Sequence, residues 1–160
     1  MGQVITLKVN GVSREVEVEP YELLADVLRD KLGYKGVKKG CWRGECGLCT
    51  IIMNGEAVKS CIILAVEADG AEIETVEGLA RNGRLSPVQD AYVKNAGLQC
   101  GFCTPGFIMA SEYIVRRNAN REITPGEVKS ALSGTICRCT GYKQIIDSVL
   151  EAHRRIKIVR

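Results

Sequence analysis

The sequence predicts an α+β chain in two parts, a small mixed β-sheet crossed by one helix and then an all-α half. Three observations lead there. The first 76 residues hold alternating apolar strands joined by Asn-Gly turns, and the remainder holds helix starts marked by a hydroxyl residue before proline. The eight cysteines of the 160-residue chain divide into four in each half.

From Gln3 to Val9 the apolar residues alternate, with Ile5, Leu7 and Val9 on one face, and Asn10-Gly11 is a tight hairpin dipeptide. Val12, Val16 and Val18 continue on the return strand until Pro20. Leu23, Leu24, Val27, Leu28 and Leu32 then fall at helical spacing, and Gly33 supplies a stop. After the first cysteines, Thr50 to Met53 and Glu56 to Ser60 pair about Asn54-Gly55, and Ile73 to Val76 forms a last strand. Beyond Gly78 the pattern changes. Ser86-Pro87, Thr104-Pro105 and Thr124-Pro125 each place a capping hydroxyl before a proline suited to the first helical position, and Glu127 completes a capping box with Thr124. A fourth helix begins near Gly141 and carries Ile145, Ile146, Val149 and Leu150 on one stripe. A polar linker around Glu77 to Leu85 separates domains at residues 1–77 and 78–160.

Apolar residues make up 46% and charged residues 26%, the ordinary globular mixture, which excludes a disordered or collagen-like chain. No apolar run reaches the ~18 residues of a membrane span, and the N-terminus lacks a basic-then-apolar secretory layout. A soluble, cytoplasmic protein is expected. In that setting clustered cysteines read as metal ligands rather than disulfides. With only two Phe, five Tyr and one Trp to fill its cores, the fold needs such support.

Cys41, Cys46 and Cys49 have the C-x4-C-x2-C spacing at which plant-type ferredoxins hold a [2Fe-2S] cluster, with a fourth cysteine further along. Cys61 is the candidate: a turn at Asn54-Gly55 sets Met53 against Glu56, and counting back along the strands sets Leu48 against Cys61. Gly40, Gly44 and Gly47 let the loop curl and aim N–H groups at sulfur. Zinc is the alternative, but its C-x2-C pairs leave the x4 spacing unexplained. The second set is Cys100, Cys103, Cys137 and Cys139, each pair just before a helix start, where two helix N-termini favour an anionic centre. A C-x2-C pair alone is shared with zinc and redox motifs; joined to Cys137-Arg138-Cys139-Thr140-Gly141-Tyr142 it is specific.

The formal charge of +3 and pI near 8.4 hint at an acidic partner such as nucleic acid. Two centres of about −2 each, counted with their thiolates, would bring the chain to about −1 and remove that hint. Lys38, Lys39, Arg43 and Arg138, beside the cysteines, are expected to offset cluster charge.

In Gly40-Cys41, Cys46-Gly47-x-Cys49-Thr50, Ser60-Cys61, Gln99 to Gly106 and Cys137 to Tyr142 the chain resembles the small iron–sulfur subunit of the xanthine oxidase family of molybdenum hydroxylases. The resemblance covers nearly its whole length. It implies a plant-ferredoxin-like β-grasp domain and a four-helix-bundle-like domain, each with one [2Fe-2S] cluster. It further implies a large molybdopterin-binding subunit beside the helical-domain cluster, an FAD-binding medium subunit, and a heterotrimer or its dimer. Gln99 and Cys139 are then the residues nearest the pterin. The chain departs from the family pattern at Trp42-Arg43 and Leu48, and no ligand is touched.

His153, the single histidine, is read as an exposed charge near a helix end. Tyr142 and Phe102 can be packing residues, and Trp42 either a partner-facing anchor or a cap over its loop. There is no G-x-G-x-x-G after a strand, no P-loop and no serine or cysteine triad, so neither NAD nor flavin has a recognisable site here. The expected function is electron transfer within an oxidoreductase whose substrate chemistry lies on another subunit. A module with two four-cysteine zinc sites and a free-standing two-cluster ferredoxin are the alternatives.

Overall fold

The computed structural model describes residues 2–158, with side chains through residue 156. Strands β1 (Gln3–Val9) and β2 (Val12–Val18) form the first hairpin, with Val9 paired to Val12 across Asn10-Gly11. Both turn residues have positive φ, 52° and 82°, as a tight hairpin requires. Ile5, Leu7 and Val9 are buried in alternation. Val12 is exposed instead, because β2 is an edge strand.

The crossing helix is present with a different winding. A single α-turn, α1 (Leu24–Asp26), passes into a π-helix over Val27–Lys31, where the Leu32 N–H donates to the Val27 carbonyl at 2.9 Å. Leu24, Ala25, Val27 and Leu28 are fully buried, and Gly33 leads the chain out at φ 83°. Strands β3 (Thr50–Met53) and β4 (Glu56–Lys59) pair in the expected register, Met53 against Glu56 and Thr50 against Lys59. The last strand, β5 (Glu72–Glu74), enters the middle of the sheet, whose order is β2-β1-β5-β3-β4, parallel to β1 and antiparallel to β3.

Four helices follow: α2 (Pro87–Lys94), α3 (Thr104–Arg117), α4 (Pro125–Ala131) and α5 (Lys143–Ile158). Ser86 caps α2 in a box with Gln89, and Thr124 caps α4 in a box with Glu127. The third expected cap differs. Cys103 occupies the N-cap of α3, Thr104 is already helical, and its buried hydroxyl bonds to no protein group. Helix α5 packs on α2, α3 and α4. His153 lies inside this packing, 2% exposed, with Nε2 at 2.9 Å from the Asn118 carbonyl, so it is a buried tie and not the exposed charge expected. The stripe of α5 is wider than its aliphatic residues suggest, and the ring finds a backbone partner across the bundle. The linker is an ordered turn at Asn82-Gly83, with Leu79 in the helical core. No helix among the described residues is long and apolar enough to cross a membrane.

Strand β3 serves two cores. Consecutive side chains of a strand point to opposite faces, and so Ile51 packs with Leu7, Leu24 and Leu28 while Ile52 packs with Tyr92, Phe107 and Val149. Helix α3 lies on the Ile52 face. From it Arg116 makes a two-pronged contact with Glu74 of β5, at 2.7 and 3.0 Å, and its Nε donates to Glu112 at 3.0 Å. The Arg116 hydrogen bonds hold the Glu74 carboxyl below its ordinary 4.5. That share of stability is present above pH 4.5 and is lost as the pH falls through the lowered value.

Glu112 is buried, and only one of its carboxylate oxygens has a hydrogen-bond partner. Arg116→Ala would leave it with no cation, and we expect a loss of about 1–3 kcal/mol in urea denaturation at neutral pH. The double change Arg116→Ala/Glu112→Leu should recover most of that loss. An equal loss in single and double variants would show that the pair is not what clamps α3 to the sheet.

Candidate metal centres

The first four cysteines gather where the loop before β3 meets the end of β4. Trp42, Gly44 and Gly47 all take positive φ (58°, 73° and 68°), and the curl turns backbone donors inward. The Cys41 sulfur accepts the N–H of Arg43 at 3.4 Å and of Cys46 at 3.3 Å. Those two donors, Arg43 first, pull its thiol down to about 6. Cys49 is buried, and burial pushes its thiol up to about 12. The hairpin returns Cys61 as its register demands: the Ser60 hydroxyl donates to the Cys49 carbonyl at 2.8 Å, and the Cys61 and Cys49 sulfurs interact. A Cβ on Gly40 would stand 2.8 Å from the Cys46 sulfur, so glycine there makes room for the thiol.

Lys39 and Arg43 of this loop are ion-paired. Lys39 is held by Asp26 and Asp30, and the Arg43 guanidinium faces Glu45 at 3.4 Å. Donors to sulfur come from backbone N–H groups. Trp42 is 40% exposed, with the Lys39 ammonium 5.1 Å from its ring centroid.

The second four sit at the end of the helical half. Cys103 caps α3, and Cys137 and Cys139 lie in the turn between α4 and α5. The Cys139 and Cys100 sulfurs are 3.6 Å apart, and the Cys103 and Cys137 sulfurs interact. Burial pushes Cys103 up to about 12. Burial also raises Cys137, yet the Thr140 hydroxyl and the N–H groups of Thr140 and Cys139 outweigh it, and the net shift is downward. Tyr142, at φ 71°, accepts the Cys137 N–H on its hydroxyl at 3.0 Å and packs edge-on against Phe107.

At each place the four thiols gather: Cys41, Cys46, Cys49 and Cys61 interact with one another, as do Cys100, Cys103, Cys137 and Cys139. Four thiolates at each place would suit a [2Fe-2S] cluster. The thiols raised by burial would be deprotonated by the metal, which supplies the compensating charge.

The two sites meet through backbone. The Ile136 N–H donates to the Cys46 carbonyl at 2.9 Å, linking a cysteine of the first loop to the neighbour of Cys137. A Cβ on Gly106 would lie 2.4 Å from the Gly47 carbonyl oxygen, and one on Gly47 would lie 2.5 Å from that of Gly134. Gly47 thus serves the contact with the helical half as well as the curl of its own loop. Gln99, Cys100 and Cys139 are exposed, and so are the apolar residues Leu98, Phe102 (51%) and Ile136 (53%) close to the cysteines in sequence. Thr140 and Ile136 carry no signal of their own in sequence; their position beside the C-x-C pair is the clue.

Residues 7–80 match the model of a 2Fe-2S iron-sulfur cluster binding domain, and residues 75–150 match that of a [2Fe-2S] binding domain. The chain is 45% identical over 148 residues to the 6-hydroxypseudooxynicotine dehydrogenase complex subunit beta of Paenarthrobacter nicotinovorans, covering 92% of each. It is 42% identical to the xanthine dehydrogenase iron-sulfur-binding subunit of Escherichia coli O157:H7, covering 95% of this chain and 96% of the relative. A chain of quinoline 2-oxidoreductase from Pseudomonas putida 86 superposes with a TM-score of 0.90 at 43% identity, over 96% of this chain and 97% of that one.

Gly106→Ala should force the two loops apart, because the added carbon meets fixed backbone. We expect a loss of about 1–3 kcal/mol by urea denaturation. Gly126→Ala is the control, since its nearest atom is 3.9 Å away. Similar losses in both would mean that helix propensity, not close approach, governs the Gly106 position.

Proposed function

Because the chain belongs to the small iron–sulfur subunits of the xanthine dehydrogenase family of molybdenum hydroxylases, we propose that it relays electrons through two [2Fe-2S] centres. They enter from the molybdopterin site of a large subunit and leave toward an FAD-binding medium subunit, in a cytoplasmic heterotrimer or its dimer. Cys41, Cys46, Cys49 and Cys61 hold one centre in a β-grasp domain of residues 1–77. Cys100, Cys103, Cys137 and Cys139 hold the other in a four-helix-bundle-like domain of residues 78–160. When bound, the clusters supply one-electron redox chemistry.

The observation that carries the relay reading is the Ile136 N–H to Cys46 carbonyl bond of 2.9 Å, which joins the two ligand loops by one hydrogen bond and a few covalent ones. The chain's own residues do the rest. Backbone N–H groups of Arg43, Cys46, Cys139 and Thr140 point at Cys41 and Cys137, where extra negative charge needs stabilising. Burial keeps water from Cys49, Cys61 and Cys137. The exposed Leu98, Phe102 and Ile136, close in sequence to the exposed Gln99, Cys100 and Cys139, suit a docked large subunit, since exposed apolar residues are poorly placed in water. There Gln99 and Cys139 approach the pterin. The same feature disfavours a free-standing ferredoxin, and the match of residues 7–80 and 75–150 to 2Fe-2S binding domains disfavours structural zinc.

The complex, purified intact, should contain about four iron and four acid-labile sulfide per copy of this chain, and two rhombic EPR signals on reduction. Cys46→Ser should remove one signal and Cys103→Ser the other. Two zinc and no sulfide would overturn the relay; loss of both signals from either substitution in a folded subunit would overturn the division of ligands.

A further inference from the structure

We propose that the Thr140 side-chain hydroxyl raises the reduction potential of the helical-half centre, an inference that rests on the two-centre reading above. The Cys137 sulfur receives three donors: the Cys139 N–H at 3.4 Å, the Thr140 N–H at 3.4 Å and the Thr140 hydroxyl at 3.2 Å. The direction of the hydroxyl bond follows from its other partner. Thr140 Oγ1 accepts the Tyr142 N–H at 3.4 Å, and its own hydrogen is left for the sulfur. Thr140 and Cys137 are both buried, so water does not compete for either end.

A donor on a ligand sulfur stabilises the reduced centre, which carries one more negative charge, more than the oxidised one. The potential therefore rises, and the low local dielectric enlarges the effect. Two of the three donors are backbone groups that any residue would supply. The hydroxyl alone depends on the identity of residue 140. The loop has a second tie besides that hydroxyl, the Cys137 N–H donating to the Tyr142 hydroxyl at 3.0 Å. In the sheet half the Cys41 sulfur accepts from the backbone N–H groups of Arg43 and Cys46. Thr140 thus makes the two centres unequal by side-chain chemistry, on the sulfur of the residue that follows Ile136.

The test is an EPR-monitored potentiometric titration of the assembled complex in wild type, Thr140→Val, Thr140→Ala and Thr140→Ser. Valine keeps the side-chain shape and removes the donor to Cys137 together with the acceptor of the Tyr142 N–H, and serine restores both. At fixed ambient potential the reduced-to-oxidised ratio of the helical-half signal should fall about tenfold, which is 59 mV for one electron. The sheet-half signal should not move, and serine should keep the wild-type value. An unmoved helical-half midpoint in the valine variant overturns the proposal, as does a serine variant shifted as far as valine. Loss of the helical-half signal in both valine and alanine variants also overturns it, because Thr140 would then be needed for assembly. A wild type without two signals fails the two-centre reading itself, and two signals with no shift fail only the role given to Thr140.

Discussion

The close approach of three glycines holds the molecule together at its centre. Gly47 meets Gly134, Gly106 meets Gly47, and beside them the Ile136 N–H reaches the Cys46 carbonyl. Any side chain at Gly47 or Gly106 would occupy the space of fixed backbone, so these contacts exist only because the side chains are absent. The loop of the first four cysteines and the turn of the last two are thereby seated against each other. Strand β3 extends the same constraint inward, with Ile51 in one core and Ile52 in the other.

Around that contact the structure distributes charge unevenly. Burial pushes the thiols of buried Cys49 and half-buried Cys103 up to about 12, whereas Cys41 and Cys137 sit among donors that pull them down. Each site therefore has a side suited to holding negative charge and a side suited to excluding water. Most of the donors are peptide N–H groups, which are fixed in place and cost little to reorient when charge arrives. The lysine and arginine nearest the first loop are engaged with Asp26, Asp30 and Glu45 instead. Their part is to fix the loop, and Lys38, 5.9 Å from the Phe102 ring centroid, reaches across to the helical half.

Cys100 and Cys139 are exposed, as are Leu98, Phe102 and Ile136 close to the cysteines in sequence, whereas Cys46, Cys49, Cys61 and Cys137 are buried. The two halves are further joined by the Arg116 contacts with Glu74 and Glu112, and the sheet half is tied by Asn10, whose side chain bonds Thr75 through both its donor and its acceptor. The clamp and the asparagine lie away from the cysteines, yet they fix the junction on which the spacing of the two loops depends.

What the sequence by itself determined was local: the Asn10-Gly11 and Asn54-Gly55 hairpins, the register that returns Cys61, the Ser86 and Thr124 helix starts, and the gathering of eight cysteines as two groups of four. Each of these is written within a few residues, because turn chemistry, strand alternation and capping act over that range. The tertiary structure decided the rest. It placed β5 in the middle of the sheet, made Cys103 rather than Thr104 the cap of α3, buried His153 against Asn118, and turned Thr140 toward the Cys137 sulfur. It also showed that Gly47 and Gly106 are needed because each meets backbone far away in the chain. Such contacts join segments separated by long stretches of sequence, and spacing carries no information about which backbone will arrive opposite a given residue. Only packing settles that.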